Sequence, residues 1–180
     1  GFGCENMKAA ISSAGALIHY LREIQKSSLE HITALTPFPI HSFMALDQCT
    51  LTSLELVQSS EGTRKNSLLD LLDLSLTPMG ARRIREWILK PLINLEKIQE
   101  RLSIVKSFKD NPTGRKDLRD LLKHIFDLER LLGRITLSAC SARDLVALKA
   151  SLKVFPDLLD ALKTYESSPV QAYLENWDNL

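Results

Sequence analysis

Residues 66–95, NSLLDLLDLSLTPMGARRIREWILKPLINL, contain one helix that the sequence marks at both ends. Thr77 is suited to capping this helix and Pro78 to its first position, where a missing N–H costs nothing, and Pro91 follows the last periodic residues. Between these marks most apolar residues share one face, and charged residues cover the rest. We therefore predict a half-buried helix. Its apolar residues are Met79, Ile84, Trp87 and Ile88.

Apolar residues also recur at helical spacing before and after this helix. Residues 5–27 carry one long stripe, which predicts a rod of about 30 Å. Such stripes predict helices that pack through their apolar faces, since burying one large apolar side chain contributes roughly 1.5–3 kcal/mol and an exposed ion pair less than about 1 kcal/mol. In residues 94–109 the predicted apolar face consists of Leu95, Ile98, Leu102, Val105 and Phe108.

Capping residues mark where the remaining helices begin. Asp47 or Thr50 could cap a helix after residue 46, and Ser67 a short helix after that. Pro156 is predicted to end the penultimate helix. The other predicted starts are Asn94, Asn111 with Pro112, Asp127, Ser141 with Asp144 in capping-box form, and Ser168 with Pro169.

The sequence between residues 32 and 46 lacks the helical spacing of apolar residues seen elsewhere. Pro37 and Pro39 disfavour helix, and the apolar residues after them form no helical stripe. One or two short strands are predicted there. The predicted fold is mainly α, an irregular helical bundle with a small β patch near residues 32–46.

Composition and charge exclude several classes of protein. With 23 basic and 22 acidic residues the net charge is +1, so any DNA contact would have to be local. Cys4, Cys49 and Cys140 are too widely spaced to suggest disulfides or a zinc site. No apolar run reaches the roughly 18 residues of a membrane span, and no signal peptide is visible. We expect a cytoplasmic protein with no membrane partner and, since the chain begins at Gly1, a piece of a longer one.

Several runs of sequence together carry a resemblance to a known family. SLLDLLDLSLTPMGARRIREWILKPL at 67–92 is followed in order by LEKIQERLSIVKSF, HIFDLERLLGRI and SARDLVALKASL. These runs resemble the core domain of the bacterial MutS DNA mismatch-repair proteins. SAGALIHYL at 13–21, with EIQK at 23–26, is similar to the family's segment between connector and core. The resemblance implies a connector-to-core helix in residues 1–30 and the first part of the core domain in residues 31–180.

One element of the family, LD-x-x-T-x-x-NLEL, is matched only in part. Ser53 stands where the family usually has asparagine, and Thr52 stands where arginine is common. The hydrogen bonds that the asparagine side chain makes in relatives are therefore left open for this chain. The resemblance implies a structural core motif and leaves open which residues, if any, contact DNA. The motif comprises Leu46, Asp47, Thr50, Leu54, Glu55, Thr77, Pro78, Met79, Gly80, Arg82, Trp87, Pro91, Asp127, Leu128, Glu129, Arg130 and Arg134.

Two basic clusters have more than one interpretation. Arg130 and Arg134 lie four residues apart and could bind phosphate or pair with carboxylates. The carboxylate network is favoured, because arginine forks suit carboxylates and the surrounding apolar residues imply partial burial. The polar residues 58–66 are interpreted as a surface loop, although Gly62 with Arg64 and Lys65 could bind a phosphate.

The sequence contains neither the H-E-x-x-H pattern of zinc proteases nor the G-x-S-x-G pattern of serine hydrolases. There is no G-x-x-x-x-G-K-[ST], so the chain has no P-loop, and the histidines are isolated. Carboxylate pairs such as Asp70 with Asp73 are spaced as on an exposed helix face. The Phe-x-Glu that the resemblance associates with mismatch reading is also absent. We predict no catalytic residue, metal site or cofactor in this chain.

The resemblance implies a mechanical function. We expect a core segment that relays between the ATPase and DNA-binding parts of a MutS-like protein, packed against other domains of the same protein. For the intact protein it implies ATP and Mg²⁺, mismatched duplex DNA, a MutL-type repair partner and a homodimer. The alternative is a free-standing helical interaction module with no DNA role. Since the family's core has a second stretch, apolar surface should be exposed or self-associated in this piece.

Overall fold

A computed structural model describes residues 4, 6–25, 29, 32, 34, 42–165 and 168–175. The chain divides into two units, residues 1–41 and residues 42–180. In the first unit, helix α1 spans Lys8–Gln25, within the rod predicted from the sequence. In the described part of the chain, no helix combines the length and apolar character needed to cross a membrane.

The second unit is built from eight described helices. They are α2 Gln48–Ser53, α3 Leu68–Leu72, α4 Pro78–Leu89, α5 Leu95–Asp110, α6 Pro112–Leu122, α7 Leu128–Thr136, α8 Ala142–Lys163 and α9 Ser168–Glu175. The mainly α prediction is confirmed, and the helix around residues 78–89 begins and ends where the sequence predicted.

Side-chain caps begin most of these helices, as the sequence predicted. Thr77 accepts a hydrogen bond from the Gly80 N–H, and Asp47, rather than Thr50, caps α2. Ser141 and Asp144 form a complete capping box. Each cap satisfies a backbone donor that the helix itself cannot pair. The other caps are Ser67, Asn94, Asn111 and Asp127.

The predicted β patch is not supported. The described residues near it form one isolated antiparallel bridge, between Phe43 and Leu92. Pro91 has no N–H with which to extend the pairing, and the chain turns into the cap of α2 at Asp47 soon after Phe43. Residues 33 and 35–41 lie outside the described residues.

The prediction that Pro156 ends a helix is wrong, because α8 runs through it to Lys163. A proline inside a helix costs about 3 kcal/mol. The turns beyond it bring Leu158 and Leu162 against the buried side chains, which offsets that cost.

The main core of the second unit forms where α5, α6, α8 and α9 meet. Leu118 of α6, Tyr165 after α8 and Val170 of α9 are its buried residues. The ring of Phe108, on α5, packs edge-on against Tyr165, with 4.6 Å between ring centroids. The C-terminal half of α5 is thereby held in the core.

The sequence predicted the wrong packed face for much of α5. Ile104 and Phe108 pack on the core, whereas Leu95, Val105 and Leu102 are exposed, Leu102 by 61%. At 100° per residue, position 104 lies on almost the opposite side of the helix from Leu95. The most regular apolar stripe of α5 therefore faces away from this core.

The end of α7 has a Schellman cap with an unfavourable residue. Ala139 N–H donates to the Arg134 carbonyl at 2.9 Å and Ser138 N–H to the Ile135 carbonyl at 3.0 Å, with Ser138 at a φ of +53°. Glycine adopts this conformation without a Cβ clash. We expect Ser138→Gly to raise the free energy of unfolding by about 0.5–1 kcal/mol. Urea denaturation checks this, with Ser138→Ala, which keeps the Cβ, as control. Equal stability of the two variants would contradict the assignment.

Candidate functional site

The side chain of Arg82 joins two helices that are far apart in the sequence. Its Nη1 and Nη2 donate to the two carboxylate oxygens of Asp127 at 2.8 and 2.7 Å. Its Nε donates to Glu129 Oε2 at 2.9 Å. Two-pronged arginine–carboxylate pairing fixes orientation as well as distance. This fork therefore sets how the start of α7 lies against α4.

Asp127 has a second role in addition to holding Arg82. It caps α7 by accepting from the Arg130 N–H, and its side chain is only 15% exposed. The Arg82 guanidinium beside it, helped by the Arg130 N–H, lowers the pKa of this carboxyl against the opposing effect of burial. Asp127 thus stays ionised and paired well below neutral pH.

A further ion pair extends this connection to α8. Arg134 Nη1 lies 3.1 Å from Asp144 Oδ1, and Asp144 accepts from the Ser141 N–H in the capping box. The Ser141 N–H and hydroxyl lower the pKa of Asp144. We call Arg82, Asp127, Glu129, Arg134 and Asp144 the ion-pair chain. It links α4 to α7 and α7 to α8.

The basic clusters left open by the sequence have carboxylates within reach. Arg130 Nε lies 3.5 Å from Asp127 Oδ2. Arg64 Nη2 donates to Asp73 Oδ2 at 2.7 Å, and Gly62, two residues before Arg64, has a φ of +74°. The pairs of Arg130 and Arg134 agree with the carboxylate interpretation of the first cluster, and the exposure of residues 60–66 agrees with the surface-loop interpretation of the second.

Trp87 of α4 contacts α5 through a charged side chain. The guanidinium carbon of Arg101 lies 4.0 Å from the centroid of a Trp87 ring. Such cation–π contacts stabilise by about 0.5–1 kcal/mol when exposed. Trp87 remains 42% exposed, so it is less buried than the helical stripe predicted.

The other motif residues hold local structure. Glu55 adopts a φ of +49°, and its carbonyl accepts from the Leu68 N–H at 3.0 Å, which folds the segment after α2 onto α3. A Cβ on Gly80 would lie 3.1 Å from Thr77 Oγ1, so glycine lets the cap approach closely. The Pro91 carbonyl accepts a hydrogen bond from the Met44 N–H. The side chain of Leu54 is exposed, whereas those of Leu46, Met79 and Leu128 are partly buried.

One structurally important residue was missed by sequence reasoning. Ser151 is fully buried in α8, and its Oγ accepts from the Phe126 N–H at 3.0 Å and donates to the Ala147 carbonyl. It ties the segment before α7 to α8. The only sequence signal is a small polar residue within the apolar run ALKASLKVF.

Comparison with known proteins decides the family. The family model described as MutS domain III matches residues 49–177. The chain belongs to the MutS family. A DNA mismatch repair protein MutS from Halothermothrix orenii is 40% identical over 181 residues, which cover 100% of this chain and 20% of that protein. The MutS proteins of Symbiobacterium thermophilum and Methanosarcina barkeri are each 43% identical, over 91% and 90% of this chain and 19% and 18% of theirs. The chain thus spans about a fifth of the length of these MutS relatives.

The residues of the ion-pair chain lie inside the matched MutS domain III region. Among the described residues, no three His, Cys, Asp or Glu side chains are placed to hold a metal ion together. What the described geometry offers is therefore a set of connections between helices.

The pairing of Asp127 with Arg82 predicts a specific dependence on pH. Folding lowers the pKa of Asp127. The stabilisation that its ionised carboxylate provides is therefore complete above the pKa of an unfolded aspartate, about 3.9, and is lost as the pH falls through the lower pKa of the folded state. We expect the difference in unfolding free energy between wild type and Asp127→Asn to be constant from pH 7 to about pH 5 and to shrink below about pH 4. Asparagine can keep the helix cap through one oxygen but loses the charge and the second acceptor of Arg82, so the difference reports on the fork and not on the cap. Urea denaturation at several pH values checks this, and a difference that grew on acidification would contradict it.

Proposed function

We propose that this chain is a core segment of a longer MutS DNA mismatch-repair protein and that it relays the state of the ATP site to the DNA-binding parts. The observation that supports this most is the fork of Arg82 on Asp127 and Glu129, which joins α4 to α7. A relay needs rigid elements with defined connections. The caps and the ion-pair chain supply such connections.

The partners and cofactors of the whole protein follow from the same proposal. ATP and Mg²⁺ would bind outside these 180 residues, because the sequence has no P-loop. We propose mismatched duplex DNA and other MutS domains as partners, with a MutL-type repair protein and a second MutS subunit. We propose a cytoplasmic location. The helical interaction module without a DNA role is not favoured, since the family model and the relatives are MutS.

The relay is tested in the full-length protein with Asp127→Asn, which removes the charge held by Arg82 and keeps the cap. The readout is the rate at which mismatched duplex is released after ATP is added. Because residues along a coupling route change it by about 0.5–2 kcal/mol, we expect a change in rate of about 2- to 30-fold. Trp87→Ala, which removes the contact between α4 and α5, is expected to change the same rate.

Asp120→Asn is the matched control. Asp120 also pairs with a cation, Lys123, but both residues lie at the C-terminal end of α6, three positions apart. Its loss should leave the release rate unchanged. If Asp127→Asn and Trp87→Ala both released DNA at the wild-type rate, the relay would be contradicted.

A further inference from the structure

Among the described residues, one buried side-chain polar atom has no hydrogen-bond partner, and it lies in the main core. It is the hydroxyl oxygen of Tyr165, a residue that follows α8 and is only 2% exposed. Burial raises the pKa of this phenol, so the group stays neutral and keeps a proton that no acceptor takes. A buried hydroxyl of this kind has lost its bonds to water and gained none in return. The core would therefore hold a phenylalanine ring at lower cost.

The Tyr165 side chain lies against both α5 and α6. The Phe108 ring of α5 packs edge-on against the Tyr165 ring. On α6, a Cβ added to Gly114 would lie 2.8 Å from the Tyr165 oxygen and 2.8 Å from Asn111 Nδ2, so glycine leaves the room that the hydroxyl occupies. Asn111 Oδ1 already accepts the Gly114 N–H as the cap of α6. The first turn of α6 thus admits the hydroxyl without pairing it.

The attachment of α9 to the core involves the same tyrosine. Gln171 of α9 donates from Nε2 to the Tyr165 carbonyl at 2.7 Å. Val170 is 5% exposed and Leu174 is partly buried, and both belong to the cluster that contains Tyr165. Helix α9 has only eight residues, so its helical form depends on such tertiary contacts. Departure of Tyr165 from the core would therefore take the contacts of α9 with it.

We propose that Tyr165 and α9 form a latch on the core, which exchanges between the docked position described here and a released position in which the hydroxyl is hydrated. The unpaired hydroxyl brings the free energies of the two positions closer together, so α9 opens before the helices beneath it. Coupling between distant sites requires a two-state element, and a latch is one. The latch stands on the contacts of Tyr165 and does not depend on the proposed relay.

Hydrogen–deuterium exchange of the full-length protein without nucleotide is the first test. We expect the amides of α9 to exchange faster than the buried amides of α6 and α8, because they open with the latch. Tyr165→Phe keeps the ring and removes the oxygen, so it should slow exchange in α9 by about 5- to 30-fold. Tyr173→Phe is the matched control, because Tyr173 lies on α9 itself and is 67% exposed. Loss of its hydroxyl should leave exchange unchanged.

Gly114→Ala tests the latch from the side of α6. Alanine favours a helix more than glycine does, so helix propensity alone predicts no faster exchange. The new Cβ would collide with the Tyr165 hydroxyl, so the latch predicts faster exchange in α9. Adding Tyr165→Phe should restore slow exchange, because the colliding oxygen is gone. Gly133→Ala is the control, since a Cβ there meets nothing within 4 Å, and it should leave α9 unchanged.

Three results would overturn the latch. One is exchange of α9 at the same rate as the buried amides of α6 and α8, and another is an equal effect of Tyr165→Phe and Tyr173→Phe on α9. The third is a loss of protection in Gly114→Ala that Tyr165→Phe does not reverse, or no loss at all. Release of mismatched DNA after ATP is added reports separately on the relay, so either proposal can fail while the other stands.

Discussion

Replacing Leu118 with alanine is expected to lower the free energy of unfolding by about 2–5 kcal/mol. Leu118 is only 6% exposed and lies in the cluster that Tyr165 and Val170 complete. Alanine would remove most of its side chain from a site where α6, α8 and α9 meet, and the helices around it cannot all close the gap. Urea denaturation of the 180-residue chain measures the loss.

Leu102→Ala is the matched comparison for this experiment. The sequence alone placed Leu102 in the packed stripe of α5, but it is 61% exposed. In the 180-residue chain its truncation should change stability by no more than about 0.5 kcal/mol, as for an ordinary surface site. A cost for Leu102→Ala equal to that for Leu118→Ala would show that the sequence-predicted face, not the observed one, is buried.

Ser151→Ala is expected to destabilise the chain by about 1–3 kcal/mol, although it removes a single oxygen atom. The Phe126 N–H would lose its acceptor at 3.0 Å inside the junction between α7 and α8. Ser151 is fully buried and its hydrogen bond to Phe126 is partly buried, so the N–H left unpaired loses a partner that solvent replaces only in part. Thermal or urea unfolding measures this.

Ser107→Ala provides the control for Ser151. The Ser107 hydroxyl donates to the Ile104 carbonyl of its own helix, so its loss leaves no backbone donor without a partner. We expect its effect on stability to be within about 0.5 kcal/mol. If Ser151→Ala were equally mild, the Ser151–Phe126 hydrogen bond would not be the tie that the geometry indicates.

Local signals in the sequence predicted the helix starts well. A cap such as Thr77 or Ser141 binds a backbone N–H only three residues away, so a few neighbouring residues are enough to predict it. The pairing of Arg130 and Arg134 with carboxylates was also favoured from spacing and residue type. The partner of Arg82 was not predicted, because Asp127 lies 45 residues further along the chain.

The errors arose where tertiary packing overrides local pattern. Periodicity placed Phe108 correctly among the packed residues of α5, but it cannot show that Ile104, outside the predicted apolar face, meets the core while Leu95, Leu102 and Val105 do not. The local sequence at Pro156 predicts the end of a helix, whereas packing of the turns after Pro156 keeps α8 continuous. Of the strands predicted near residues 32–46, the described residues show only the bridge between Phe43 and Leu92, which Pro91 cannot extend because it has no N–H.

The most direct test of the relay is hydrogen–deuterium exchange of the full-length protein bound to mismatched DNA, compared with ATP and with ADP. We predict that amide protection changes with the nucleotide in α4 and α7, the two helices joined by Arg82 and Asp127. Identical protection of both helices in the two nucleotide states, with changes elsewhere in the protein, would contradict it.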